Sequence, residues 1–255
     1  MKTIVLAIQK GGQGKTFLSC NFAFWLAKKG FKVCVIDLDT QGNSTYTLNN
    51  FTNRFEAHEL FLNKNLNFDF SFLNEENQKN KIQIFKANSQ LADFEKLQND
   101  NLNNKIQNFS FNLKKLEKYF DYCLIDTAPN LSNILVASFL VADFFITPIE
   151  LETYSLMGVE KILTVAQNLK NQNPKLQFLG ILPNKVDRRK PRQKENLNLL
   201  KKHFDKNVIP FQISLRDSFA QALSEQKPIW KIKKSAARKA TQELEQIANY
   251  IFQNV

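Results

Sequence analysis

Short runs of apolar residues alternate along the chain with segments in which apolar residues recur every three or four positions. The runs have the length of buried strands, and the periodic segments have the spacing of amphipathic helices. Strands are predicted at 3–8, 32–37, 81–86, 122–126, 144–148, 178–182 and, briefly, 208–209. Helices are predicted at 15–29, 89–98, 113–119, 131–141, 154–169, 195–204, 217–225 and 236–252. This alternation predicts an α/β fold with a mostly parallel central sheet and helices on both faces.

Residues 44–80 follow neither pattern, because they are polar and Asn-rich with scattered Phe. We expect short helices and loops there. The sequence shows no internal repeat and no Pro/Gly-rich linker, so a single domain over residues 1–255 is expected, without a separate N-terminal DNA-reading module. The first apolar run is too short for a signal peptide, and no stretch approaches the ~20 apolar residues that span a bilayer. A cytoplasmic location is therefore expected.

Cysteine spacing and charge refine this picture. Cys20, Cys34 and Cys123 each lie in an apolar run without C-x-x-C spacing, which favours core packing over an iron–sulfur or metal site. The net charge of +11 is concentrated in two basic segments: residues 185–206 contain nine Lys/Arg and three acids, and residues 227–239 contain six Lys/Arg and no acids. A localised positive field attracts polyanions such as nucleic acid or an anionic membrane.

The turn after the first predicted strand has the composition of a phosphate-binding loop. It reads Lys10-Gly11-Gly12-Gln13-Gly14-Lys15-Thr16-Phe17, and it departs from G-x-x-x-x-G-K-[ST] only because Gln9 stands at the first glycine position. Glycines let backbone N–H groups approach phosphate oxygens, and the N-terminus of the following helix adds partial positive charge. Lys15 can neutralise the β- and γ-phosphates, and the Thr16 hydroxyl suits Mg²⁺. Residues 10–17 are therefore predicted to bind ATP or ADP with Mg²⁺; a tight turn with an incidental lysine is the alternative.

Three aspartates lie where predicted strands end. Asp37 and Asp39 occupy positions i and i+2, so both project near the carboxyl end of their strand, where ligand sites of open α/β sheets lie. Asp126 ends the apolar strand predicted at 122–126 in a Walker-B arrangement, and Asp37 and Asp126 are expected to reach Mg²⁺ through water. Thr127 occupies the position where many fast ATPases carry a general-base Glu. Asp39 is therefore the candidate for orienting the attacking water, and weak basal turnover is expected.

These motifs resemble the ParA family of partition ATPases, which belongs with MinD-like proteins to the deviant Walker-A class of P-loop NTPases. The resemblance rests on Lys10–Thr16, on I-D-L-D-T-Q-G-N at 36–43 and on I-D-T-A-P at 125–129. Similar segments follow in the family's order at 84–88 with Leu91, at 141–143, at 148–150 with Gly158, and at 222–229. Gln13, Phe17, Thr40 and Ala128 differ from the family's usual residues, and none of these differences removes a charge or a ligand.

The resemblance implies a complete cycle. Lys10 would reach across an ATP-bound homodimer to the partner's phosphates, Lys15 would be the ordinary P-loop lysine, and Asp39 would be needed for hydrolysis. The dimer would bind DNA non-specifically, and a ParB-type centromere-binding protein would stimulate ATP hydrolysis and release it. Such a nucleoid-associated cycle segregates plasmids or chromosomes.

A second motif bears on which nucleotide base is recognised. Asn184-Lys185-Val186-Asp187 resembles the N/T-K-x-D of GTPases, but the family resemblance implies adenine, held by Asn184 and by the chain near 210–213, with Pro210 and Gln212 as candidates. GTP binding, and a plain turn role for Asn184 at a strand end, are the alternatives.

The basic segments supply the candidates for DNA contact. These are Arg188, Arg189, Lys190, Arg192, Lys194, Lys231, Lys233, Lys234, Arg238 and Lys239, with Arg216 added because it falls two positions from a DNA-binding arginine of the family. Solvated surface charge is the alternative for each. The rival for the whole patch is a membrane, but the apolar stripe of the last predicted helix fits packing on the sheet, and Glu243 and Glu245 would oppose an anionic membrane. A MinD-like positioning ATPase acting on membrane or protein cargo, and a metabolic P-loop enzyme, are the competing functions.

Overall fold

A parallel β-sheet forms the centre of the computed structural model, which describes residues 1–74, 81–97, 99–152, 155–187 and 189–255. In these residues the sheet has seven strands, in the order β3-β4-β2-β5-β1-β6-β7. Each neighbouring pair is parallel, so the carboxyl ends of all the strands lie at one edge. The strands are β1 (Lys2–Leu6), β2 (Val33–Leu38), β3 (Thr52–Glu56), β4 (Ile82–Lys86), β5 (Tyr122–Thr127), β6 (Phe144–Glu150) and β7 (Gln177–Asn184).

Helices cover both faces of the sheet, which confirms the predicted α/β fold. They are α1 (Lys15–Lys28), α2 (Asn43–Thr47), α3 (Glu59–Leu62), α4 (Asn99–Leu116), α5 (Asn133–Val141), α6 (Ser155–Asn168), α7 (Pro191–Phe204), α8 (Asp217–Ser224) and α9 (Ser235–Phe252). Short 3-10 helices occur at Asn49–Phe51, Ser71–Asn74, Ser89–Lys96, Asp205–Asn207 and Ile229–Lys231.

The alternation of side chains along each strand divides the core in two. Ile4 and Val35 face α1, α8 and α9, whereas Val5 and Ile36 face the layer that holds α3 to α7. Because both faces are covered, β2 is buried at every position, as its continuous apolar run predicts. The apolar stripe of α9 is buried in the first core, in agreement with the packing interpretation. Among the described residues no helix is both long and apolar enough to cross a membrane.

Several details differ from the sequence predictions, among them the start of α7, which lies at Pro191 rather than at 195. The segment expected to hold only short helices and loops contains β3, an edge strand whose register with β4 shifts between Thr52 and Glu56. The helix predicted at 113–119 is the much longer α4 and ends at Leu116. The helix predicted at 89–98 is a 3-10 helix that ends at Lys96, and Gln98 lies outside the described residues. The strand predicted at 208–209 is a single bridge between Ile181 and Val208. Tyr154, the predicted start of α6, also lies outside the described residues.

Candidate nucleotide-binding site

The phosphate loop is the turn between β1 and α1, and two of its glycines have left-handed backbone angles. Gly12 has φ 77° and Gly14 has φ 98°. Gly14 immediately precedes α1, and a Cβ there would overlap the amide nitrogen of Asn184. At Gly14 both the backbone and its close neighbour therefore require glycine.

Groups at the carboxyl ends of β6 and β7 hold this loop from behind. Gln13 is buried, and its Oε1 accepts a hydrogen bond from the Glu150 backbone N–H at 2.7 Å. The Asn184 side-chain amide donates to the Gln13 carbonyl at 2.7 Å. Lys185 donates to the Gly12 carbonyl at 2.6 Å and pairs with Glu150 at 2.7 Å. These contacts fix the loop before any phosphate arrives, which reduces the entropy that binding must lose.

Asp37 and Asp126 lie side by side because β2 and β5 pair in register at these two residues. The helix α2 places two hydroxyls on them. Ser44 Oγ donates to Asp126 Oδ2 at 2.7 Å, and the Thr45 backbone N–H and hydroxyl donate to Asp37 Oδ2 at 2.7 and 2.8 Å. The parallel register thus brings together the two carboxylates that the sequence assigned to the metal.

The electrostatics of this pair favour a bound cation. Burial, with repulsion from Asp126, raises the pKa of Asp37, and burial also raises the pKa of Asp126. The Thr16 hydroxyl and the Lys15 ammonium oppose the shift at Asp126. A divalent ion would stabilise both charged carboxylates.

The residues present fit Mg²⁺. Asp126 Oδ1 is buried and has no hydrogen-bond partner among the described residues, so one carboxylate oxygen is free for a water ligand of the ion. No cluster of three or more His, Cys, Asp or Glu that could hold a metal occurs in the described part of the chain. Mg²⁺ keeps several waters and is bound through one or two carboxylates together with substrate phosphates, and Asp37 and Asp126 can supply those carboxylates.

Lys15 and Asp39 line a cleft that opens beside the phosphate loop. Lys15 is 6% exposed, and burial lowers the pKa of its ammonium while Asp126 and Asp39 oppose that shift. Asp39 is 9% exposed, and its Oδ1 accepts the Gln41 backbone N–H at 3.0 Å. A desolvated ammonium attracts phosphate oxygens strongly, because water screens its charge poorly.

An open cleft of about 470 Å³ extends from the phosphate loop. Besides the loop and the start of α1, its walls come from α2, α8 and the turns after β2, β5 and β7. The lining residues are Gly11, Gly12, Gln13, Gly14, Lys15, Thr16, Phe17, Asp39, Asn43, Tyr46, Thr47, Pro129, Lys185, Ala220, Leu223 and Ser224.

Lys10 comes just before the glycines of the phosphate loop in the chain and is not among the residues that line the cleft. Its side chain is 40% exposed and forms an ion pair with Glu152, which lies just after β6. The Lys10 ammonium also lowers the pKa of Glu152. The two lysines of the motif therefore occupy different environments: Lys15 is buried in its own cleft, and Lys10 lies at the surface beside it.

The predicted base contacts do not gather in the cleft. Asn184 is buried against Gln13 and Gly14, with its Oδ1 lacking a hydrogen-bond partner among the described residues. Gln212 lines a separate depression with Val186 and Asp187, and Pro210 lies on the exposed surface beside it. The sequence assigned Asn184 to adenine, whereas the geometry gives it a bracing role in the loop; its contact with adenine stays a prediction.

Most of the DNA-contact candidates are exposed. Those described as exposed are Arg189, Lys190, Arg192, Lys194, Lys231, Lys233, Lys234, Arg238 and Lys239. Arg189 forms a two-pronged ion pair with Asp187 at 2.9 Å. Arg216 is half-buried, and its Nη2 donates to Glu243 at 2.6 Å, so this arginine is held on α9. Arg188 lies outside the described residues.

Several residues of the site were not identified as candidates from the sequence. Ser44 and Thr45 orient the two aspartates, and Glu150 and Glu152 pair with Lys185 and Lys10. The two glutamates had a detectable signal, because acids at i and i+2 around a strand end project to the same side. Ser44 and Thr45 had none, since a short polar helix gives no clear periodicity.

Comparison with known proteins adds sequence and structural relatives. The sequence profile of a family described as an AAA domain matches residues 1–178. Protein IncC of Escherichia coli is 46% identical over 252 residues, which cover 99% of this chain and 69% of that protein. The chromosome-partitioning ATPase Soj of Thermus thermophilus is 27% identical over 89% of both chains. A putative plasmid partition protein from Borrelia burgdorferi, crystallised with AMPPNP, superposes with a TM-score of 0.79 at 22% identity, covering 100% of this chain and 99% of that one. At 22% identity, this superposition is evidence for a shared fold only.

Proposed function

The chain belongs to the ParA family of P-loop ATPases, and we propose that it is a DNA-partition ATPase whose Mg-ATP-bound homodimer binds DNA non-specifically. A ParB-type partner would stimulate hydrolysis and release the dimer, segregating a plasmid or chromosome. In this proposal residues 1–255 form a single domain, and the protein acts in the cytoplasm on the nucleoid. The relatives named above as partition proteins and the concentrated positive charge support this proposal.

The position of Lys10 carries the proposal. A lysine needed for phosphates in its own cleft would be buried there, as Lys15 is, but Lys10 lies outside the lining of the cleft with its ammonium on Glu152. From that position it is available to a nucleotide held by a second protomer. A surface pair of this kind is worth only about 0–1 kcal/mol, so a phosphate can displace Glu152.

Different residues of the cleft would bind the phosphates, hold Mg²⁺ and orient the attacking water. Backbone N–H groups of residues 11–16 and the N-terminus of α1 would hold the phosphates, and Lys15 would balance their charge. Bound Mg²⁺ would supply further charge neutralisation, held by Thr16 and, through water, by Asp37 and Asp126. Asp39 would orient the attacking water from the wall of the cleft. Positioning without a dedicated strong base is consistent with slow hydrolysis in the absence of a partner.

The direct test is ATP-dependent binding to DNA of random sequence. We expect a gel shift with Mg-ATP at low salt and much weaker binding with ADP or without nucleotide. Binding that is absent at low salt, or that ATP does not change, would contradict the proposal. If the ATP-bound protein instead sedimented with anionic liposomes and not with DNA, a MinD-like positioning role would replace it.

Three variants separate the steps of the cycle. Lys15→Ala should lose ATP binding by two orders of magnitude or more, because it removes the buried ammonium. Lys10→Ala should keep monomeric ATP binding and lose the ATP-dependent dimer. Asp39→Ala should keep both and hydrolyse ATP at least tenfold more slowly. Fluorescent-nucleotide titration, light scattering and phosphate release measure the three steps; normal hydrolysis by Asp39→Ala would refute the role of that carboxylate.

A further inference from the structure

A second concave surface lies at the opposite edge of the sheet from the nucleotide cleft. It is an open groove of about 630 Å³, formed by the C-terminal half of α1, the start of β4 and residues 227–231. We call it the lysine groove. Its size is within the range of about 300–1,000 Å³ typical of ligand sites.

The floor of the lysine groove is apolar and aromatic. Phe24 is 6% exposed and contacts Phe51 edge to face, with ring centroids 5.9 Å apart. Trp230 forms one side, and the Lys28 ammonium lies 4.8 Å from the centroid of its ring. The floor can therefore exclude water from one large apolar side chain.

The rim of the groove is positive. Lys28, Lys81, Lys227 and Lys231 line it, and none of its described lining residues is acidic. Lys28 pairs with Glu245 at 2.8 Å, and Lys227 pairs with Glu225 at 3.2 Å. These pairs are substantially exposed and individually weak, so carboxylates from a partner can take the place of Glu245 and Glu225.

We propose that the lysine groove docks an acidic peptide segment of a partner protein, with one large apolar side chain on the floor and carboxylates on the rim. The combination of apolar floor and positive rim matches a peptide that carries both features. A DNA duplex has no apolar side chain for the floor. Single-stranded DNA needs a row of open aromatic faces on which successive bases stack, but Lys28 lies over Trp230 and Phe51 packs edge to face against Phe24. The proposal does not depend on the proposed function, because docking here requires neither nucleotide nor DNA.

Tryptophan fluorescence can report on the groove directly. The chain contains two tryptophans, and Trp25 is 5% exposed and stacked on Phe252 with centroids 5.5 Å apart. Trp25→Phe keeps a ring at that position and leaves Trp230 as the sole tryptophan. The probe is a synthetic peptide of glutamates and serines with one central phenylalanine, titrated into the full-length Trp25→Phe protein without nucleotide. We expect a saturable change in Trp230 emission that weakens as salt rises.

Charge-reversed variants test the assignment to the rim. In the Trp25→Phe background, Lys227→Glu with Lys231→Glu should weaken peptide binding roughly tenfold or more. Lys96→Glu with Lys175→Glu makes the same charge change at exposed sites outside the groove and should leave the affinity within about twofold. Replacing the peptide's glutamates with lysines, or its phenylalanine with serine, should also weaken binding about tenfold. The proposal is overturned if the peptide produces no saturable change, if both double variants weaken it equally, or if single-stranded DNA binds at Trp230 and the peptide does not.

Discussion

At the scale of single residues, the feature that most affects behaviour is a fully buried carboxylate beside another one. Asp126 is 0% exposed, adjoins Asp37 across β5 and β2, and has one oxygen without a hydrogen bond among the described residues. Such a group makes the nucleotide-free protein less stable than it would be without the charge, and it prepares the site for a cation. Function and stability therefore oppose each other at this position.

The sign of this effect leads to a pH prediction. Burial raises the pKa of Asp126 to about 6 in the folded protein, against about 4 in the unfolded chain. The folded state therefore holds the proton more tightly, and stability is lost as pH rises from about 4 through about 6. Asp126→Asn should remove that loss and raise the free energy of unfolding at pH 7.5 by on the order of 2 kcal/mol, with the gain vanishing near pH 4.

Urea unfolding of nucleotide-free protein across this pH range measures the effect. Asp93→Asn is the matched control, because Asp93 is a surface carboxylate with a 71% exposed side chain. At pH 7.5 the free energy of unfolding of this surface variant should lie within about 0.5 kcal/mol of the wild type. If the wild type gained stability relative to Asp126→Asn as pH rose, the buried carboxylate would not have the raised pKa.

A second prediction at this scale concerns Gly14. Gly14→Ala combines a left-handed backbone angle with overlap of the Asn184 amide, whereas Gly12→Ala has a similar angle and no heavy atom within 4 Å of its Cβ. Gly14→Ala should therefore destabilise the protein more than Gly12→Ala, which should lose about 1–3 kcal/mol. In a double-mutant cycle, Asn184→Ala should relieve the overlap, with a coupling energy of about 0.5–3 kcal/mol. Additive losses would show that the two residues do not compete for space.

At the scale of elements, side-chain amides hold the helices to one another. Asn173 is buried after α6, and its Nδ2 donates at 2.7 Å to the carbonyls of Phe139 and Ala142 at the end of α5. These carbonyls lack helical partners because the helix ends there. Asn112 similarly joins α4 to the carbonyls of Leu60 and Asn63 around α3, at 2.8 Å each.

Removal of one such amide should be costly. Asn173→Ala leaves two buried carbonyls without a partner, and we expect a loss of about 1–3 kcal/mol in the free energy of unfolding. Asn168→Ala, on the exposed surface of α6, should change it by less than about 0.5 kcal/mol. Equal losses for the two variants would show that the amide contacts at the end of α5 contribute nothing specific.

The element scale also shows why the sequence predicted some elements and not others. Strands β1, β2 and β5 are continuous apolar runs, and their positions were predicted to within about two residues. The amphipathic spacing of α4 is present at Leu102, Ile106, Phe109 and Leu113, but the many Asn residues between them obscured it. Strand β3 is polar and mostly uncovered, so nothing in its composition distinguishes it from a loop.

Some residues of the candidate site could likewise be predicted from the sequence, and others could not. Local motifs predicted Lys15, Thr16 and the three aspartates at the carboxyl edge of the sheet. The contacts of Asn184 and Glu150 with the loop depend on how β6 and β7 align with β1, and a single sequence does not contain that alignment. For the same reason, the ion pair of Arg216 with Glu243 could not be predicted: the partners are far apart in sequence and meet only when α9 packs on the sheet.

At the scale of the whole molecule, the positive charge is concentrated in two segments of the chain. The net charge is +11, and the basic segments at 185–206 and 227–239 supply all of it, since the remaining residues sum to −1. One of these segments begins at the nucleotide cleft with Lys185, and the other lines the lysine groove with Lys227 and Lys231. The phenylalanines show a comparable grouping, because Phe55, Phe68, Phe70 and Phe85 contact one another beneath β3 and β4.

The concentration of positive charge in these two segments leads to a salt prediction for the ATP-bound protein on random DNA. The logarithm of the binding constant should fall linearly with the logarithm of salt concentration, by about 0.9 for each phosphate neutralised. Lys233→Gln with Lys234→Gln should reduce that slope by about 1 for each lysine that contacts a phosphate. Lys96→Gln with Lys175→Gln, which lie outside both basic segments, should leave the slope unchanged. Equal slopes in all the variants would place the DNA elsewhere on the surface.

Helix α1 has a mechanical consequence for the whole molecule. Its first residues hold the phosphate loop, and its last turn forms the wall of the lysine groove, about 21 Å away at 1.5 Å per residue. From Phe17 to Leu26 every side chain is buried, so the helix is enclosed by sheet, α8 and α9 and cannot bend without disturbing that packing. It therefore behaves as a rigid rod. The phosphate loop and the lysine groove are therefore joined by one rigid element, so that a shift of α1 along its axis would move both surfaces together.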